Sequence, residues 1–127
     1  MLSDLTPVAT VAVRDLAAAA KFYEGVLGLK RVDGGPDQGV ITYAAGGARL
    51  FVYASAYAGA NQATTVTWPC GERLDSLVAG LAARGVKFEH YDDLPQTTRE
   101  GDIHVAADTR VAWFKDPDGT IHSLVNG

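Results

Sequence analysis

The sequence predicts an α+β fold made of two βαβββ units, over about residues 6–57 and 63–127 of a single 127-residue domain. Two observations predict it. Apolar spacing switches between a period of two and the helical period in the same order in both halves. Gly28-Leu29-Lys30 also recurs 57 residues later as Gly85-Val86-Lys87, after a small, polar linker from Ala58 to Gln62.

The elements follow from local chemistry. Residues 6–14 read as a strand, and 15–27 as a helix with Leu16, Ala19, Ala20, Tyr23, Val26 and Leu27 on one stripe. Asp15 suits the N-cap and Gly28 a left-handed stop. Strands are expected at 29–33, 38–45 and 48–55, broken by the turn signals 34–37 and Gly46-Gly47. The second half restarts with strand 63–70. A helix follows at about 72–84, carrying Leu74, Leu77, Val78 and Leu81 and stopping at Gly85. The runs 86–91, 111–115 and 121–125 complete the unit, with a polar loop over 92–102. Asp116-Pro117-Asp118-Gly119 is a hairpin turn, because Asp bonds its own turn, Pro presets φ and Gly accepts positive φ.

Composition narrows the function. A hydrophobic content of 47% supports a real core, and a net charge of −4 with scattered Lys and Arg argues against nucleic acid as a partner. No run has the length of a membrane span and the N-terminus lacks a signal-peptide pattern, so no membrane partner and a cytoplasmic location are expected. The single Cys70 is read as a small core residue.

Taken with the terminal hairpin, Asp15-Leu16, Phe22-Tyr23 and Leu27-Gly28 resemble the vicinal oxygen chelate superfamily, which includes glyoxalases, fosfomycin- and bleomycin-resistance proteins and extradiol dioxygenases. The resemblance spans nearly the whole chain. It implies curved mixed sheets around a cavity, helices on the outer faces, and assembly within one chain or as a homodimer. It also implies a divalent metal held by His and Glu. At the corresponding positions stand Val8, Thr64 or Thr65, Phe51 and Ser123, none an adequate ligand. This argues against metal-dependent glyoxalase, thiol-transferase and dioxygenase chemistry, and no metal or cofactor is expected. His122, one residue from the lost ligand position, should point away from wherever Ser123 points.

The resemblance also sets which strand faces look inward. On that basis the candidate ligand-binding residues are Thr10, Tyr43, Tyr53, Thr67, His104, Trp113 and Ser123, an apolar lining with a few hydroxyls suited to a small, largely neutral organic ligand. Trp113 and Thr10 match substrate-contact positions of fosfomycin-resistance relatives, whereas Trp68 shares a face with Val66 and Cys70 and reads as packing. The reading is a metal-free small-molecule binder, with sequestration of the bleomycin-resistance kind as one use. The alternative is a metal-independent lyase, isomerase or hydrolase using His104, Ser123 or a loop carboxylate.

Overall fold

The structure, a computed structural model, describes residues 1–127. It consists of two compact units, Met1–Ala60 and Asn61–Gly127.

In the first unit β1 (Ala9–Val13) leads into α1 (Leu16–Ala20) and a π-helical segment (Lys21–Val26), followed by β2 (Lys30–Gly35), a 3-10 turn (Pro36–Gln38), β3 (Val40–Ala45) and β4 (Ala48–Ala54). The sheet order is β1-β4-β3-β2, with β1 parallel to β4 and the other pairs antiparallel. Asp15 caps α1 as expected, its Oδ1 accepting from the N–H groups of Ala17 and Ala18 at 2.9 and 3.2 Å. One face of the sheet, carrying Val11, Val13, Ile41, Tyr43, Leu50 and Val52, is buried along with Leu16, Ala19 and Tyr23 of the helix. Each fully buried aliphatic side chain there contributes roughly 1.5–3 kcal/mol.

The expected uninterrupted helix over 15–27 changes register at Lys21. The Leu27 N–H bonds the Phe22 carbonyl at 3.0 Å, five residues back, and Gly25, a weak helix former, lies in the widened turn. In this register Tyr23 is buried and Glu24 accepts from Arg31 at 2.6 and 3.1 Å and from the Tyr43 hydroxyl at 2.9 Å. Burial alone would raise the Glu24 carboxyl, but these hydrogen bonds outweigh it and hold its pKa below the ordinary 4.5.

The second unit repeats the plan: β5 (Thr64–Pro69), a 3-10 turn (Gly71–Arg73), α2 (Leu74–Ala83), β6 (Phe88–Glu89), β7 (Thr98–Glu100), β8 (Ile103–Ala106), β9 (Thr109–Lys115) and β10 (Ile121–Val125). Its six-stranded sheet runs β5-β10-β9-β8-β7, with β6 also paired to β9. The first strand is again parallel to the last, and the antiparallel β6–β9 pair stands where β2–β3 stands in unit 1. Gly28 and Gly85 both end their helices with positive φ, +73° and +94°, which explains the recurrence of Gly at those two sites.

The addition that breaks the repeat is the β7–β8 hairpin, in a region expected as loop. Glu100 pairs with Ile103 across Gly101-Asp102, a two-residue turn of the Gly-Asp kind, and Ala106 pairs with Thr109 across Ala107-Asp108. The short strand Thr98–Glu100 lacks an apolar alternation, which is why the sequence did not announce it. The Asp116 turn forms as expected. Its Oδ1 accepts from the N–H groups of Asp118 and Thr120, both at 2.9 Å, and its own N–H bonds the Thr120 carbonyl at 2.9 Å. No helix is long and apolar enough to cross a membrane.

Candidate functional site

Strand alternation gives each sheet a packed face and a more open one, although on the second sheet Ser123 and His104 of the open face are themselves buried and Thr67 and Trp113 carry its accessible surface. In unit 2, β10 lies between β5 and β9, and its register pairs Ser123 with Thr67 on one side and with Trp113 on the other. These three side chains therefore share the open face. The Thr67 and Ser123 hydroxyls are hydrogen-bonded at 2.8 Å, and the Trp113 indole N–H donates to Thr64 Oγ1 at 3.1 Å. His122, one residue along, pairs with Phe114 and Val66 on the packed face, opposite Ser123 as expected.

His104 joins the open face through β8, where it pairs with Val111, two residues from Trp113 on the same side of β9. Its ring meets the Trp113 ring edge-on, centroids 4.9 Å apart. Tyr91, which follows β6, stands on Trp113 at 5.2 Å and near His104 at 6.0 Å. His104 is buried, and its Nε2 accepts the Tyr91 main-chain N–H at 2.9 Å, which requires the neutral tautomer with hydrogen on Nδ1. Nδ1 itself is buried without a well-formed hydrogen bond. Burial pushes the His104 pKa below the ordinary 6.5, against the opposing influence of the Val111 main chain and Asp92. The charges on this face are paired: Glu89, across from Trp113, with Lys115 at 3.2 Å, and Arg99, across from His104, with Asp92 at 2.7 Å.

Of the residues singled out from the sequence, Thr67, Ser123, Trp113 and His104 are thus brought together in unit 2. Thr10 and Tyr53 lie on the open face of unit 1, with Thr10 paired to Phe51 and Tyr53 to Ala12. Tyr43 lies on the other face of that sheet, buried and stacked on Tyr23 at 6.0 Å, its hydroxyl donating to Glu24. Strand β3 places Tyr43 with Ile41 on the helix side, leaving Thr42 to face the open side beside Phe51. Burial, then the Glu24 hydrogen bond, raise the Tyr43 pKa.

Sequence reasoning missed Tyr91 and left Thr64 and Thr65 undecided. A bulge settles the latter: Ile121 pairs with Thr64 but His122 with Val66, so Thr65 is the extra residue and Thr64 holds the place that Val8 holds in unit 1. The signal for Tyr91 was its alternation with Phe88 and His90, legible only once Glu89 is known to oppose Trp113.

Residues 6–121 match the family model described as the Glyoxalase/Bleomycin resistance protein/Dioxygenase superfamily, and the chain belongs to that superfamily. No curated protein matches the sequence. Among solved structures, the fosfomycin resistance protein FosX from Listeria monocytogenes (hexagonal form) is similar at TM-score 0.71 and 16% identity, covering 100% of this chain and 95% of that one. FosX from Mesorhizobium loti gives 0.67 and 16%, covering 100% and 94%, and lactoylglutathione lyase from Agrobacterium tumefaciens gives 0.70 and 17%, covering 96% and 92%. At these identities the likeness is one of fold. One Listeria FosX structure is described as a complex with Mn(II) and a dihydroxypropylphosphonic acid. A divalent ion does not fit the donors of this chain. No three His, Cys, Asp or Glu side chains converge to hold a metal ion, and at the positions where the resemblance implies ligands stand Val8, Thr64, Phe51 and Ser123, the last bonded to Thr67.

Proposed function

We propose that this protein binds a small, neutral organic molecule without a metal, using the open face of the second sheet. The observation that carries this reading is the Trp113 cluster. A half-buried indole, flanked by Tyr91 and His104, donates to the Thr64 hydroxyl and adjoins Ser123, two hydroxyls where the resemblance implies imidazole and carboxylate ligands. Such a surface offers aromatic rings and a few hydrogen-bonding groups, the character of a site that holds an uncharged ligand. Thr10 and Tyr53 lie on the open face of unit 1, apart from this cluster in the chain. Sequestration is the favoured use, since neither hydroxyl of the Thr67–Ser123 pair has a histidine as hydrogen-bond partner to activate it.

Equilibrium dialysis with 4-nitroanisole, a neutral aromatic probe, tests this. Binding is expected to persist in excess EDTA and to weaken roughly fivefold in Trp113→Phe, about 1 kcal/mol for the lost indole contact. Loss of binding in EDTA, restored by a divalent ion, would overturn the metal-free reading. Equal binding by parent and Trp113→Phe would place the site elsewhere.

The open face of unit 1 also exposes Val40, Phe51 and Tyr53, 36–40% accessible, beside Thr10, Ala12 and Thr42. We propose that a second copy of the chain covers this apolar surface. Light scattering should give twice the chain mass at micromolar concentration, and Phe51→Glu should return the chain mass. A parent that scatters as a monomer would remove the proposal.

A further inference from the structure

Tyr91 owes its place to an unusual support. It leaves β6 into a segment whose two ends are tied together, with Asp92 gripped by Arg99 at 2.7 and 3.3 Å and His90 paired with Asp102 at 2.8 Å. Arg99 also donates to the Gly101 carbonyl at 2.7 Å, locking the β7–β8 turn onto the same clasp. Within it, the Tyr91 N–H has one acceptor, His104 Nε2 at 2.9 Å, and the Tyr91 ring stands edge to face with Trp113.

We infer that His104 is a positioning residue: it holds Tyr91 as the second aromatic wall beside Trp113, and a neutral aromatic ligand binds there only while His104 Nε2 accepts the Tyr91 N–H. The inference rests on the reading of Trp113 as a ligand contact. A protonated imidazole carries hydrogen on both nitrogens, so Nε2–H and the Tyr91 N–H would face each other as two buried donors. An unmade buried hydrogen bond is costly, and the relief is for Tyr91 to leave. Asp92, His90 and Arg99 are the charged or titratable groups whose fields reach His104, with Asp92 favouring its charge and His90 and Arg99 opposing it. Glu89 and Lys115 act in the same opposed way on Tyr91. Since burial lowers the His104 pKa, the acid loss of binding falls below the ordinary value of 6.5.

The test is 4-nitroanisole dialysis at about pH 7.5 and about pH 5 with the parent, His104→Gln and His104→Leu, each checked by circular dichroism. The parent should bind about five- to tenfold more weakly in acid, the scale of one lost aromatic contact. His104→Gln, whose amide oxygen can accept at the same reach and does not titrate, should bind like the neutral parent at both pH values. His104→Leu should bind as weakly at neutral pH as the parent does in acid. Equal acid loss in parent and His104→Gln, or parent-like binding by His104→Leu, would overturn the inference. Amide exchange gives a readout free of any ligand: Tyr91 N–H protection should fall on acidification in the parent and stay constant in His104→Gln. If Trp113→Phe leaves binding unchanged, the site reading fails, and the exchange arm alone decides the role of His104. Protection of Tyr91 that ignores pH in the parent would end it.

Discussion

Replacing Phe114 by Ala should cost about 3–5 kcal/mol, a large part of the 5–15 kcal/mol typical of a whole domain. Phe114 is 1% exposed, stacks on His122 at 4.9 Å and meets Phe88 edge-on at 6.0 Å, so its removal leaves a cavity between two aromatic neighbours. Trp113, the adjacent residue of β9, points to the other face. Its change to Phe should cost under about 1.5 kcal/mol while weakening ligand binding. Urea denaturation of the two variants, set against their dialysis curves, checks the division. A Phe114→Ala midpoint equal to that of the parent would show that the packed face has been assigned wrongly.

Acid should destabilise the protein through His122 as pH falls below the ordinary histidine value of 6.5. His122 is fully buried between Trp68 and Phe114, and its Nδ1 accepts the Trp68 indole N–H at 3.0 Å. Burial pushes its pKa down from 6.5 to about 4. The unfolded chain then takes up this proton at higher pH than the folded one. Its contribution is complete above pH 6.5, declines as pH falls below that value, and is gone once pH passes below about 4. At 1.36 kcal/mol per unit the loss across that window is on the order of 3 kcal/mol. His104, also lowered, adds in the same direction. Glu24, Asp75 and Asp92 have lowered pKa values too, but their contributions begin to fail only near their unfolded values of 4.5 and 3.8, so the range above 4.5 isolates the histidines. His122→Asn keeps an acceptor for Trp68 and removes the titration. It should be less stable than the parent at about pH 7.5 because of lost packing, yet lose less between there and about pH 4.5. An equal acid loss in both proteins would assign the effect to other groups.

The sequence by itself determined the duplicated βαβββ plan, the caps and the final turn, because each depends on residues within one or two turns of each other. Asp15 caps from two residues away, and Asp116 closes its hairpin through its own side chain. With the family resemblance supplying a reference residue, alternation also put Thr67, Ser123 and Trp113 on one face, where the register of β5, β10 and β9 has them. What the sequence left undecided were matters of register between segments far apart in the chain. Tyr43 was assigned to the lining along with Tyr53, yet pairing of β3 against β4 puts Tyr43 opposite Leu50, on the helix side. The bulge at Thr65 and the place of Tyr91 depend on how β5 and β6 align with β10 and β9, pairings made across dozens of residues. The β7–β8 hairpin has the same origin, for its strands are too short and polar to carry a pattern of their own and are held by ladder bonds to β9 and by the Arg99 and His90 clasps. Local propensity specifies a turn or a cap, whereas the face a side chain presents is set by a partner strand, and a shift of one residue in that pairing inverts the assignment.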